Sequence, residues 1–269
     1  MLKILYKRPW FITNNNSYQF TDVNVWESTQ KDFTFYIEFR LDEINKGENH
    51  CIFCRPGMHM GVFIKDEEHL TWDFWTENNG KNQFNDLSFY IGKRNINKKM
   101  QVIVSHSYEH KTFDLQIKCL EEWNTQSFGK KIKDKTIFLS KTYDGELIDY
   151  SDTPFNFGIA NFEHDLPAEH KAISQYELFR AGLFSKFYKF EEIENFLEKN
   201  KDCKRELNKK LDKSIFLINT NELTKYKAYD NSGNCFNLEI NIGLIKKIYG
   251  IDPWRTLDIN ILGDERVII

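Results

Sequence analysis

The sequence predicts an all-β fold, an antiparallel β-sandwich with a short helical extension, from three observations. Apolar and polar residues alternate at period two through most of the first two thirds of the chain. Polar turn signals at Arg55-Pro56-Gly57, Asn78-Asn79-Gly80 and Asp144-Gly145 punctuate those runs. No helical period intervenes before residue 189, so the strands pair as antiparallel neighbours rather than through βαβ crossovers. Strands with one apolar face each bury it by facing another sheet.

Taken in order, Phe33, Phe35, Ile37, Phe39 and Leu41 share one face of the first well-marked strand. Strand-like runs follow at 61–64, 70–76 and 87–91. Met100, Val102 and Val104 alternate next, and Phe113, Leu115 and Ile117 answer them across a polar Ser-Tyr-Glu-His-Lys turn, which reads as a hairpin. Runs at 136–139, 155–160 and 172–179 continue the pattern. The period then changes. Phe190, Ile193, Phe196, Leu197, Cys203, Leu207 and Leu211 fall near helical spacing among Glu, Lys and Asn, which predicts an amphipathic helix. Late strands are expected at 216–218, 225–229, 236–242 and 257–262, with a short helix at 244–249. The expected division is a sandwich over 1–188, the helix over 189–213, and strands over 214–269 that complete or extend the sandwich.

Composition narrows the function. In 269 residues, 41% are hydrophobic and 15% aromatic, with 23 Phe, which is ample for a core and excludes wholesale disorder. The 37 basic and 40 acidic residues nearly cancel, so the strongly basic footprint of general nucleic-acid binding is absent. No apolar run reaches the length of a membrane span or a signal-peptide core, and a cytoplasmic location is the default expectation. The five cysteines do not suggest a disulfide scaffold. Cys51-Ile-Phe-Cys54 lies in a strand-like run, where residues three apart point to opposite faces, so ordinary thiols are expected. The histidines, including His106 and His110, read as surface residues rather than metal ligands.

Several segments resemble the concanavalin A-like lectin/glucanase superfamily, and its laminin-G-like branch in particular. The similar segments are DFTFYIEFRL from Asp32, MQVIVSHSYEHKTFDLQI from Met100, PFNFGIANF from Pro154 and AISQYELFRAGLFSKFYKFEEIENFL from Ala172. YDNSGNCFNLE from Tyr229 resembles a turn that often opens such modules, here placed near the end of the chain. The resemblance implies a jelly-roll sandwich whose branches bind glycans, hydrolyse them or serve in assembly.

The hydrolytic form of that fold carries E-x-D-x-x-E along one strand, and this chain lacks it. Glycine-rich phosphate loops, HExxH and GxSxG are missing as well. The richest constellation is Trp72-Asp-Phe-Trp-Thr-Glu77, where Asp73, Trp75 and Glu77 share one strand face. An indole beside carboxylates supplies both an apolar platform for a sugar ring and acceptors for its hydroxyls. Asp73 and Glu77 would stand roughly 13 Å apart along a strand, too far for the paired carboxylates of glycoside hydrolysis. Arg55 and His59 join the candidate site if the neighbouring strand brings them alongside, and Trp26, Trp123 and Trp254 are secondary platforms. The same tryptophans also suit a core, and both readings stand at this point. The oxygen-rich Asp230–Asn234 turn fits either calcium or a metal-free Asx turn. The expected function is noncatalytic recognition of a glycan or glycosylated partner, without a cofactor, as a module that would suit an accessory place in a larger polysaccharide-processing protein. The alternatives are a structural or protein-interaction module of a viral particle or surface assembly, and a glycoside-active enzyme.

Overall fold

The structure, a computed structural model, describes residues 2–4, 10–14, 32–41, 50–55, 60–125, 130–132, 136–148, 156–157, 159–160, 172–173, 176–200, 213–223, 227–232, 234 and 236–239. Its strands are β1 (Leu2–Ile4), β2 (Trp10–Asn14), β3 (Phe33–Leu41), β4 (His50–Arg55), β5 (Met60–Lys65), β6 (His69–Asn78) and β7 (Lys81–Tyr90). After a short 3-10 turn come β8 (Met100–Ser107), β9 (Thr112–Cys119), β10 (Trp123–Thr125), β11 (Lys130–Ile132), β12 (Thr136–Thr142) and β13 (Glu146–Leu147). The rest are β14 (Asn156–Phe157), β15 (Ile159–Ala160), β16 (Ala172–Ile173), β17 (Tyr176–Phe184), α1 (Phe190–Lys199), β18 (Ser214–Leu223), β19 (Lys227–Asp230) and β20 (Phe236–Glu239). The protein is all-β and antiparallel with one short helix among the described residues.

One ladder runs β12-β9-β8-β3-β17-β18-β19-β20-β2-β14-β4-β5-β6, with β7 and β13 both paired to β6. Its two ends fold over one another. Phe35 of β3 stacks on Phe53 of β4 with centroids 3.5 Å apart, and Phe74 of β6 meets Phe113 of β9 at 4.0 Å. The Tyr176 hydroxyl on β17 donates to the Ile52 carbonyl on the facing layer. Each alternating strand thus buries its apolar face against the other layer, in a core that includes Phe33, Ile37, Phe39, Trp72, Val102, Leu115 and Leu183.

Helix α1 covers the outward side of the other half. Ile193 and Leu197 pack with Tyr36, Ile103, Phe184, Tyr188 and Leu217. At the start of the helix the Glu192 carboxylate accepts the Lys189 backbone amide at 2.9 Å, and Lys118 pairs with Glu194 on its flank. Cys203, Leu207 and Leu211 lie outside the described residues, as do the strand expected at 257–262 and the helix at 244–249. After the helix, β18 pairs with β17 and β19 with β18, so these later strands continue the main ladder. No helix among the described residues is long and apolar enough to cross a membrane.

Three local expectations are corrected. Cys51 and Cys54 do not point to opposite faces. A register shift between Cys51 and Phe53 absorbs one residue, and both thiols cluster with Phe63, away from the main core. His106 is not a surface residue: it is fully buried, stacked on Phe113 at 4.6 Å, with its Nε2 2.7 Å from the Tyr143 hydroxyl. His50 is buried too. Period-two sidedness is reliable only where the ladder is regular, and a histidine next to hydrophobic neighbours can satisfy its ring in the core.

Candidate functional site

The β6 strand resolves which of its two faces is the core. Leu70, Trp72, Phe74 and Thr76 are buried on the core side, whereas Asp73 and Trp75 are half-buried and Glu77 is exposed on the other. The β6–β7 hairpin turns through Asn79 and Gly80, with φ of 53° and 73°, the left-handed pair of a type I′ turn. That two-residue loop sets Asn78 opposite Lys81 and fixes every pair above it. Trp75 therefore faces Phe84, Asp73 faces Asp86, and Glu77 faces Asn82.

Together with β5 and β13, this makes a face of crosswise rows. At one end are Lys65, His69 and Tyr90, then Phe63, Thr71 and Ser88, then Gly61, Asp73 and Asp86. Next comes an aromatic bar, Trp75 against Phe84, with centroids 5.4 Å apart at 62°. Glu146, Glu77 and Asn82 close the face. Successive rows stand roughly 7 Å apart, twice the rise per residue of a strand. The bar thus has a carboxylate row on each side. Phe84 is the more open ring, 44% exposed.

Lys65 runs down this face and joins two rows. Its Nζ is 2.6 Å from Asp73 Oδ2 and 5.1 Å from the Phe84 centroid, a cation-π distance. At Gly61, in the Asp73 row, the neighbours already fill the place of a side chain: a Cβ would lie 2.8 Å from the Phe63 ring and 2.7 Å from the Phe53 carbonyl. Burial pushes the Asp73 carboxyl up to about 6, the nearby Asp86 adds to that, and Lys65 opposes it. Asp73 Oδ1 is enclosed with no hydrogen-bond partner among the described residues. At the far end Lys111 Nζ holds Glu146 at 2.7 Å and also donates to the Gly145 carbonyl.

Arg55 is not on this face. It is 1% exposed and pairs with Met60, a core residue, on the side of β4 opposite Cys54. His59, Trp26 and Trp254 lie outside the described residues. Phe84, Asp86 and Lys65 share this face without standing among the residues that the sequence points to, although the Asn-Gly turn holds the signal for the first two. The register that such a turn enforces names the residue opposite each member of β6.

In the Asp230–Asn234 turn, Asp230 Oδ1 accepts the Leu217 and Ser232 amides, and Oδ2 accepts the Ser232 hydroxyl. The Asn234 amide donates to the Ser214 and Ile215 carbonyls. These bonds make an Asx turn that fastens the segment to β18. Among the described residues no group of His, Cys, Asp and Glu is arranged to hold a metal.

No family model matches the chain, and no curated protein matches it. Among solved structures, it is similar to one of botulinum neurotoxin type C, whose cell entry depends on interaction with two ganglioside molecules. The identity is 15%, over 63% of this chain and 36% of that one, with a TM-score of 0.39. The NanB sialidase from Streptococcus pneumoniae is similar at 13% identity, over 71% of this chain and 28% of that one, with a TM-score of 0.44. So is the CBM40 of the Ruminococcus gnavus IT-sialidase bound to alpha2,6 sialyllactose, at 10% identity, over 71% of this chain and 95% of that one, with a TM-score of 0.41. The chain spans 36% of the length of the neurotoxin chain. Likenesses at these TM-scores carry no weight for function.

Proposed function

We propose that this chain is a noncatalytic carbohydrate-recognition module of the concanavalin A-like, laminin-G-like kind, accessory to a larger polysaccharide-processing protein. The observation that carries the reading is the Trp75–Phe84 bar set between two rows of acceptors. A sugar ring offers apolar C–H groups to an aromatic surface and hydroxyl donors at its rim, and this face supplies a counterpart for each. Trp75, Asp73 and Glu77 form the binding set together with Phe84 and Asp86. The test is affinity on a broad glycan array. Phe84→Ala and Trp75→Ala are each expected to weaken the best hit at least ~10-fold while melting stays cooperative. Unchanged affinity in both folded variants overturns the assignment.

One observation favours a second reading, glycoside hydrolysis. Asp86 stands directly opposite Asp73, and cross-strand neighbours bring their Cβ atoms to ~5 Å, close to the spacing of a retaining carboxylate pair. Against it, the Asp73 side chain is only 14% exposed and its Oδ2 is held by Lys65, so a glycosidic oxygen has poor access to its proton. Turnover abolished by Asp86→Asn would establish hydrolysis over recognition.

A further inference from the structure

We infer that the β6–β7 hairpin carries a second sugar-stacking station, Tyr90 backed by His69, and that the two stations together take one linear oligosaccharide laid along β7. This rests on the recognition reading and adds the class of ligand. The second station is built like the first. In each, a half-buried ring on β6 backs an open ring on β7, edge to face: Trp75 and Phe84 with centroids 5.4 Å apart at 62°, His69 and Tyr90 at 5.3 Å and 64°. The open rings are exposed alike, Phe84 at 44% and Tyr90 at 45%. All ten residues of β7 pair with β6 without a register shift, so positions 84 and 90 stand on the same outward face. Six residues of strand set them roughly 20 Å apart.

The open path between the stations runs along β7. Its intervening outward residues are Asp86, half-buried, and Ser88, exposed. On the β5 and β6 side the face is closed, with Phe63 and Thr71 both buried. Ser88 and Thr71 share a hydroxyl–hydroxyl hydrogen bond of 3.1 Å that fixes the Ser88 side chain, and the Asp86 carboxylate accepts from hydroxyl donors. The stripe thus offers aromatic faces at its ends and hydrogen-bonding groups between them, the two kinds of contact that a sugar chain makes. A disaccharide covers one station, whereas a chain of roughly four rings reaches from one to the other. Once the first ring is seated, contact with the second station is intramolecular, so affinity grows with chain length.

The experiment is calorimetric titration of the full chain with cello-, xylo-, laminari- and chito-oligosaccharides, each series running from the disaccharide to the hexasaccharide. In the series that binds, affinity is expected to rise at least ~10-fold from the shortest member to the longest. Tyr90→Ala is expected to remove most of that rise and to leave disaccharide binding at the Trp75–Phe84 bar unchanged, while Tyr90→Phe, which keeps the ring, keeps the rise. Phe84→Ala is expected to weaken every length. A flat length series, or a Tyr90→Ala variant that weakens every length equally, overturns the second station and leaves recognition standing. Loss of the rise in Tyr90→Phe as well overturns stacking at Tyr90. A chain that binds some glycan on a broad array but no member of these series overturns the linear ligand alone. If no glycan binds at all, the recognition reading falls and the second station with it.

Discussion

Glu38 on β3 and Asp73 on β6 are both carboxylates set into the outward side of a strand, one on each half of the sandwich, and their surroundings treat them in opposite ways. Glu38 is 2% exposed, yet Lys99 Nζ lies 2.5 Å from one of its oxygens, while Arg180 Nε at 3.3 Å and the Tyr36 hydroxyl at 2.7 Å serve the other. Burial alone would raise its carboxyl, but the Lys99 hydrogen bond and the Arg180 charge, with Tyr36, outweigh burial and hold it below the ordinary value. Asp73 has one lysine, a second carboxylate opposite, and an oxygen without a partner, and its carboxyl is pushed up. The number of donors, more than the depth of burial, decides which carboxylate stays charged at ease. The saturated network around Glu38 adjoins the Tyr36 cluster that α1 packs against, and its role is structural. The under-supplied one borders the open aromatic bar.

The largest expected effect tests the structural side of that contrast. Glu38→Ala leaves Lys99, Arg180 and the buried Tyr36 hydroxyl without their common acceptor. It is expected to cost about 3 kcal/mol in urea unfolding, because removing one member of a buried pair strands the others. A loss under about 1 kcal/mol would mean that solvent reaches the network and that the two carboxylates do not differ as described.

The rim of the open face gives the next effect. Gly145 has a φ of +82°, and a Cβ there would stand 2.2 Å from the Glu77 carbonyl oxygen. Gly145→Ala is thus expected to cost about 2 kcal/mol by thermal or chemical unfolding, through both backbone strain and displacement of β13 from β6. Because Glu146 follows directly, the same variant is expected to weaken glycan binding, whereas Glu38→Ala in its folded fraction leaves binding intact. Loss of binding in both would erase the division of labour between the two halves.

Much of this was legible in the sequence. The sidedness of β3, the grouping of β6 residues into two faces and the hairpin at residues 107–111 follow from period two and turn chemistry, since a regular ladder keeps strict alternation; which face of β6 is buried does not, because Trp72 and Trp75 suit a core equally. The sidedness of Cys51 and Cys54 did not, because a bulge shifts the phase without changing the local pattern. The sequence pattern marks β7 only from 87, because Lys81–Asn85 lacks apolar alternation. Its pairing is enforced by the Asn79-Gly80 turn, and its outward row is where Phe84 and Asp86 lie. The place of Arg55 was hidden for a related reason: whether a strand residue meets a neighbouring site depends on the register of another strand, which its own sequence does not state.

The smallest effect is the most specific to Asp73. With its folded carboxyl at about 6 against an ordinary 3.8, the native state holds a proton that the unfolded chain has released, so stability falls as pH rises through that window. Glu38 acts with the opposite sign: its contribution is present above the ordinary 4.5 and is lost as pH falls below it. Between about pH 4 and pH 6 the wild-type urea midpoint is therefore expected to carry a downward slope from Asp73, amounting to about 2 kcal/mol at most. Asp73→Asn removes that titration and is expected to flatten the slope, with a variant that gains on the wild type toward neutral pH although it has lost the Lys65 ion pair. An ion pair that was net stabilising would give the reverse order at neutral pH. In that case Lys65 alone would be sufficient for Asp73.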